Sequence, residues 1–174
     1  MNTNILQNKV VVVTGAASGI GRAIAVNAAR HGAKAVIVSD ISREPREGGV
    51  PTTEEIEALG VATAFVKADV SKKEEVDALV DASAPFGGVD VMVANAGITL
   101  RADGFDVSSD DFRKLMAVNL DGTLFSAQAA ARQMKANGKQ GSIVLMASMG
   151  GLWGAGGRPA VRPSPCWTTS GNGS

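Results

Sequence analysis

Short apolar runs alternate with amphipathic stretches along this chain, and that alternation is the first structural signal. Val10-Val11-Val12-Val13, four β-branched residues in a row, reads as a buried strand over about Lys9–Val13. Ala35–Val38 with Ser39-Asp40 at its end, Val61–Val66, Val89–Ala94 and Ser142–Ala147 supply four more strands. Helical spacing fills the gaps. The first helix covers about Gly19–His31, with Ile20, Ala23, Ile24 and Ala28 on a face expected to pack on the sheet and Gly32 as its terminator. His31, in the last turn, reads as a capping residue rather than a catalytic one. A loop from Ser42 to Pro51 follows the second strand. Thr52-Thr53-Glu54-Glu55 then opens a helix that Gly60 ends. Ser71-Lys72-Lys73-Glu74 has capping-box form and starts a third helix, to about Ala84. Ser108 or Ser109 caps a long fourth helix, about Asp110–Asn137, whose apolar face takes in Leu115, Val118, Leu124 and Phe125. Strands alternating with helices predict an α/β fold, a parallel sheet doubly wound by helices on both faces.

The first strand runs into Thr14-Gly15-Ala16-Ala17-Ser18-Gly19-Ile20-Gly21 and then a helix. A strand, a glycine-rich turn and a helix make a phosphate cradle. Glycine lets backbone approach a pyrophosphate, and the helix N-terminus offers unpaired N–H groups at the positive end of its dipole. An ordinary strand-to-helix turn is the plainer alternative, and the position between strand and helix favours the cradle. Asp40 stands at the tip of the second strand, nineteen residues past Gly21. A carboxylate there can accept hydrogen bonds from both ribose hydroxyls of an adenosine and repel a 2′-phosphate, which favours NAD over NADP. Arg43 and Arg46, in the loop that follows, argue the other way.

The glycine spacing is G-x-x-x-G-x-G, with Thr14 in front. Together with Ser39-Asp40, Ala68-Asp69-Val70, Asn95-Ala96-Gly97, Val118-Asn119-Leu120 and Ser148, it resembles the short-chain dehydrogenase/reductase family over roughly residues 8–160. The resemblance, with right-handed crossovers, implies a Rossmann-like strand order of 3-2-1-4-5. It implies an oxidoreductase that moves hydride between a nicotinamide dinucleotide and a small alcohol or ketone. Gly15, Ser18, Gly19, Ile20, Gly21, Asp40, Asp69, Val70, Asn95, Ala96 and Gly97 would form the cofactor site. By the same resemblance Asp69 contacts the adenine amino group, although it is also placed to cap a helix, a task Ser71 can take instead. Asn119 would hold a water of the proton relay, or simply face solvent. Ser148 would hydrogen-bond the substrate oxygen, or be a plain loop serine. The family often carries a second asparagine where this chain has Ala94.

The family reaction also needs a tyrosine about thirteen residues past the serine and a lysine four residues later. Val161 and Pro165 occupy those positions, no tyrosine occurs among the 174 residues, and no lysine follows Lys139. Pro159, Pro163 and Pro165 oppose a helix there. The reading is therefore a dinucleotide-binding domain over residues 1–150, cut short before the Tyr-x-x-x-Lys motif. Residues 151–174 form a Gly/Pro-rich tail expected to be disordered. The expected activity is severely impaired. The alternatives are an inactive NAD-binding partner and a non-functional truncated product.

Composition narrows the classes further. Net charge is zero, which gives no reason to expect nucleic acid or an anionic membrane as partner. One cysteine, Cys166, and one histidine leave no disulfide framework and no zinc set, and fit a reducing, cytoplasmic setting. The fifth strand, with nothing after it to cover its far edge, is expected to drive self-association.

Overall fold

The computed structural model describes residues 4–100 and 107–148. Five parallel strands form one sheet in the order β3-β2-β1-β4-β5: β1 Val10–Thr14, β2 Ala35–Asp40, β3 Ala62–Lys67, β4 Val91–Ala94 and β5 Ser142–Leu145. The helices are α1 Gly19–Arg30, α2 Thr52–Ala58, α3 Lys73–Asp81, α4 Ser109–Met116 and α5 Gly122–Ala136. The expected doubly wound fold and strand order are both present.

Strand pleating divides the core. Val11, Val13, Val36 and Val38 point to the side covered by α1 and α2, where they meet Ala25, Val26, Ala29 and Ile56. Val12, Ile37 and Met92 point to the other side, against Val76, Leu79 and Val80 of α3 and Ala129, Ala130 and Met134 of α5. Burial on both faces is what the unbroken valine run required. Asp90 ties the base of the sheet together. It accepts the Val10 N–H at 2.9 Å and pairs with Lys139 at 3.1 Å.

Three local expectations need correction. The sheet-facing side of α1 is Gly21, Ala25, Val26, Ala28 and Ala29, while Ile20 is 65% exposed and Ala23 is exposed. In α5 the buried stripe is Gly122, Thr123, Ser126, Ala129, Ala130 and Met134, and Leu124 is 47% exposed. The cause is the same in both cases. At the closest points of these helices only glycine, alanine or serine fits against the neighbouring element, while Val26 and Met134 fill the wider gaps. A Cβ on Gly122, for example, would fall 2.6 Å from Val70 Cγ2. The third correction concerns α3, which has no capping box. Lys72 is its N-cap without a side-chain bond, the Ser71 hydroxyl donates to Asp69, and Glu75, not Glu74, reaches back to the Asp69 N–H.

The long fourth helix is in fact α4 and α5 joined by a π turn over Ala117–Asp121, with Ser108 as the cap. Its hydroxyl accepts the Asp111 N–H at 3.0 Å. His31 closes α1, with Nδ1 2.8 Å from the Asn27 carbonyl oxygen. Among the described strands β3 and β5 are the two edges, and on β5 Ile143, Val144 and Leu145 are 36%, 44% and 40% exposed. The region from residue 149 onward, including Val161 and Pro165, lies outside the described residues.

Candidate functional site

Strand order reverses direction at β1, with β2 on one side and β4 on the other, and in open α/β sheets this is where a ligand crevice forms at the carboxyl ends. A cavity of about 530 Å³ lies at that point. All eleven residues expected to form the cofactor site line it: Gly15 through Gly21 by way of Ser18, Gly19 and Ile20; Asp40; Asp69 and Val70; and Asn95, Ala96 and Gly97.

The three glycines of the turn do different work. Gly15 has φ +65° and its backbone lies against β4's end, so that a Cβ would sit 2.8 Å from Ala96 Cα. Gly21, inside α1, is pressed on Gly15, and a Cβ there would fall 2.1 Å from the Gly15 carbonyl oxygen. These two are packing glycines. Gly19 is the opposite case, with φ +56° and nothing within 4 Å of where its Cβ would be. It leaves the side-chain side of α1's first turn clear, while its own N–H is bonded to the Glu47 carboxylate at 3.0 Å.

A hydrogen-bonded lock holds this turn in place. The Thr14 hydroxyl accepts the N–H groups of Asn95 and Ala96, each at 3.0 Å. In return Asn95 Nδ2 donates to the Thr14 carbonyl at 2.9 Å and the Gly15 carbonyl at 3.2 Å. The Asn95 side chain thus fixes the glycine turn and leaves the small Ala96 and Gly97 along the cavity wall.

Asp40 is half-buried at the tip of β2. Its Oδ2 accepts the Ala17 N–H at 3.1 Å and its Oδ1 the Ile41 N–H at 2.8 Å, which fixes the carboxylate on the cavity wall. Asp69 Oδ1 accepts from the Ser71 hydroxyl at 2.7 Å and the Ser71 N–H at 3.0 Å. Those bonds, the hydroxyl first, hold its carboxyl below the ordinary carboxylate range. Asp69 therefore orders the start of α3 and lines the cavity at once.

Asn119 sits in the π turn. Its Oδ1 accepts the Ile98 N–H at 2.8 Å and its Nδ2 donates to the Ile98 carbonyl at 2.9 Å. It neither faces solvent idly nor lines the described cavity wall; it clamps the segment just after Gly97. Ser148 lies three residues past β5, exposed, and is also outside the described cavity lining.

Several lining residues carried no periodic signal in the sequence: Ile41, Glu47, Ile98 and Lys114. Of the two loop arginines, Arg46 lines the cavity, while Arg43 is drawn to α2, 3.3 Å from Thr53 Oγ1 and 3.7 Å from Glu54. Glu47 Oε1 accepts the Gly19 N–H at 3.0 Å, and this bond above all holds its carboxyl below the usual range. Among the described residues no group of three or more His, Cys, Asp or Glu is placed to hold a metal, and no helix is long and apolar enough to cross a membrane.

Comparison with known proteins agrees with this geometry. The family model for short chain dehydrogenase matches residues 9–160. The L-rhamnose 1-dehydrogenase (NAD(P)(+)) of Azotobacter vinelandii is 42% identical over 151 residues, which cover 86% of this chain and 59% of that protein. The 2-dehydro-3-deoxy-D-gluconate 5-dehydrogenase of Escherichia coli is 37% identical over 83% of this chain and 55% of its own length. A crystal structure of a short-chain type dehydrogenase/reductase from Mycobacterium marinum superposes with a TM-score of 0.82 at 30% identity, covering 90% of this chain and 62% of that one. The chain thus spans about three-fifths of the length of these relatives. By the match of the family model over most of its length, and by the fold it shares with a solved member, this chain belongs to the short-chain dehydrogenase/reductase family.

Proposed function

We propose that the chain is the dinucleotide-binding part of an oxidoreductase acting on an alcohol or ketone group of a small molecule, with NAD preferred to NADP. The observation that carries this reading is the convergence of the open Gly19 turn and the oriented Asp40 carboxylate on one cavity. The residues present fit the cofactor: the N-terminus of α1 for the pyrophosphate, Asp40 for the adenosine ribose, and Asp69 with Val70 for the adenine. The dinucleotide, when bound, supplies the hydride acceptor or donor. Ser148, past the carboxyl end of β5, is the candidate to hold the substrate oxygen, and Asn119 sets the backbone between the two. L-rhamnose and 2-dehydro-3-deoxy-D-gluconate stand in the names of relatives, and the class carried over here is alcohol–ketone conversion on a small molecule in the cytoplasm.

As these 174 residues stand they hold no tyrosine, so hydride transfer lacks the phenol that the family uses to move the proton. A positioned acid–base group contributes typically about 10²- to 10⁴-fold, and turnover is accordingly expected at background. A second reading, an NAD-binding partner of other chains, is favoured by β5, an edge among the described strands, whose part-exposed apolar residues offer a template for strand pairing. Two measurements on the purified chain test the proposal: NAD titration by calorimetry and nicotinamide absorbance with alcohols and ketones. Saturable binding without turnover supports it. Robust turnover lost in Ser148→Ala shows another proton donor and refutes the impairment.

A further inference from the structure

Helix α1 starts without help from its own N-cap. Ser18 makes no side-chain bond to the first turn, and its Oγ instead accepts the Arg46 N–H at 2.8 Å. The cap comes from the loop between β2 and α2, where Glu47 Oε1 accepts the Gly19 N–H at 3.0 Å. The loop is built to hold it there. The Gly48 N–H donates to the Pro45 carbonyl at 3.0 Å, so Arg46 and Glu47 form the tip of a tight turn. Beyond the tip, Arg22 of α1 donates to the Val50 carbonyl at 2.8 Å and pairs with Glu55 at 3.0 Å. Both tip residues line the cavity at the end of the sheet.

A carboxylate over a helix N-terminus does chemically what a phosphate does there. Both are oxyanions drawn to the N–H groups at the positive end of the dipole. Building on the dinucleotide reading of this cavity, we propose that Glu47 is an autoinhibitory latch, an internal anion that holds the pyrophosphate position of the free protein and must be displaced before a pyrophosphate ligand binds. The two anions compete for one donor, since the Gly19 N–H is already engaged by Glu47, and the carboxylate repels a pyrophosphate brought beside it. The penalty falls on the pyrophosphate, so it is the same for NAD and NADP and absent for a ligand without phosphate. The latch is free to open. Gly48 and Gly49, with φ +77° and +92°, have nothing within 4 Å of their Cβ positions, and Glu47 itself is exposed. Arg46 lines the same wall, so the cavity keeps a cation when the carboxylate leaves.

Glu47→Ala removes the carboxylate, whereas Glu47→Gln removes its charge and keeps an acceptor for the Gly19 N–H. Calorimetric titration of both variants and the unaltered chain with NAD, NADP, ADP-ribose and adenosine separates the contributions. Glu47→Ala should tighten NAD, NADP and ADP-ribose by a common factor of about threefold to tenfold. That is the size of one unit charge several ångströms from a phosphate in a part-solvated cleft, and high salt should shrink it. Glu47→Gln should give a smaller gain in the same direction. Adenosine should bind all three chains alike. Unchanged or weaker NAD binding in Glu47→Ala, a gain confined to NADP, or a gain for adenosine equal to that for NAD overturns the inference and leaves the dinucleotide reading intact. Failure of the unaltered chain to bind NAD overturns both.

Discussion

Replacing Gly21 by alanine probes the contact that shapes the cradle. The added Cβ would lie 2.1 Å from the Gly15 carbonyl oxygen, 2.5 Å from Asn95 Nδ2 and 2.7 Å from the Gly15 carbonyl carbon. Normal contact to oxygen is more than an ångström longer, and the nearest obstacle is backbone that cannot rotate away. Helix α1 must therefore move off β1's end, straining the Thr14–Asn95 lock. Overpacking of this kind costs about 3 kcal/mol. Alanine in place of glycine within a helix returns about 1 kcal/mol. The net expectation is about 2 kcal/mol of lost stability, about 1 M in the urea midpoint at an m value of about 2 kcal/mol/M. Gly19→Ala is the control. Nothing lies within 4 Å of its Cβ position, so only the positive φ of 56° is penalised, at about 1 kcal/mol. Urea unfolding followed by circular dichroism compares the two. If Gly21→Ala is as stable as the unaltered chain, or loses less than Gly19→Ala, the close packing of Gly21 on Gly15 does not shape this turn.

Other expectations follow from the same geometry. Ser71→Ala removes the hydroxyl that lowers the Asp69 pKa. Because that pKa is depressed on folding, the stabilisation is present above the ordinary value of about 4 and fades as pH falls through the folded value. The variant should lose less than about 1 kcal/mol at neutral pH, as suits a part-exposed group, and the difference should vanish in acid; a difference that persists there contradicts the assignment. Val144→Lys places a charge on the β5 edge at a position 44% exposed. It should leave the fold intact and reduce self-association measured by light scattering. A monomeric unaltered chain would refute pairing through β5.

Much of the fold was legible because its signals are local. Unbroken β-branched runs such as Val10–Val13 and glycines at strand ends mark strands and turns without reference to the rest of the chain. The glycine turn and Asp40 were legible for the related reason that they sit at strand ends, where position follows from the strand, while Asp69, Val70 and Asn95–Gly97 were carried by the family resemblance. What was not legible depends on distance. Ile24 and Phe125 pack on the core as their spacing predicts, whereas Ile20 and Leu124 are exposed and alanine, serine and glycine take the closest contacts. Thr14 and Asn95 meet across 81 positions, and Glu47 reaches Gly19 across 28, so neither contact leaves a periodic trace. The π turn at Asn119 was hidden inside a continuous helical pattern, and its purpose emerges only from the paired bonds to Ile98.

Calorimetric titration of the purified chain with NAD, beside its Asp40→Ala variant, tests the central claim most directly. The unaltered chain should bind one NAD saturably, and NAD should raise its melting temperature. Asp40→Ala should bind NAD about tenfold or more weakly and lose its preference over NADP, as expected when a charge-assisted hydrogen bond is removed. No saturable binding and no thermal shift at millimolar NAD, or NAD binding that Asp40→Ala leaves unchanged, would contradict the assignment of this crevice to a dinucleotide.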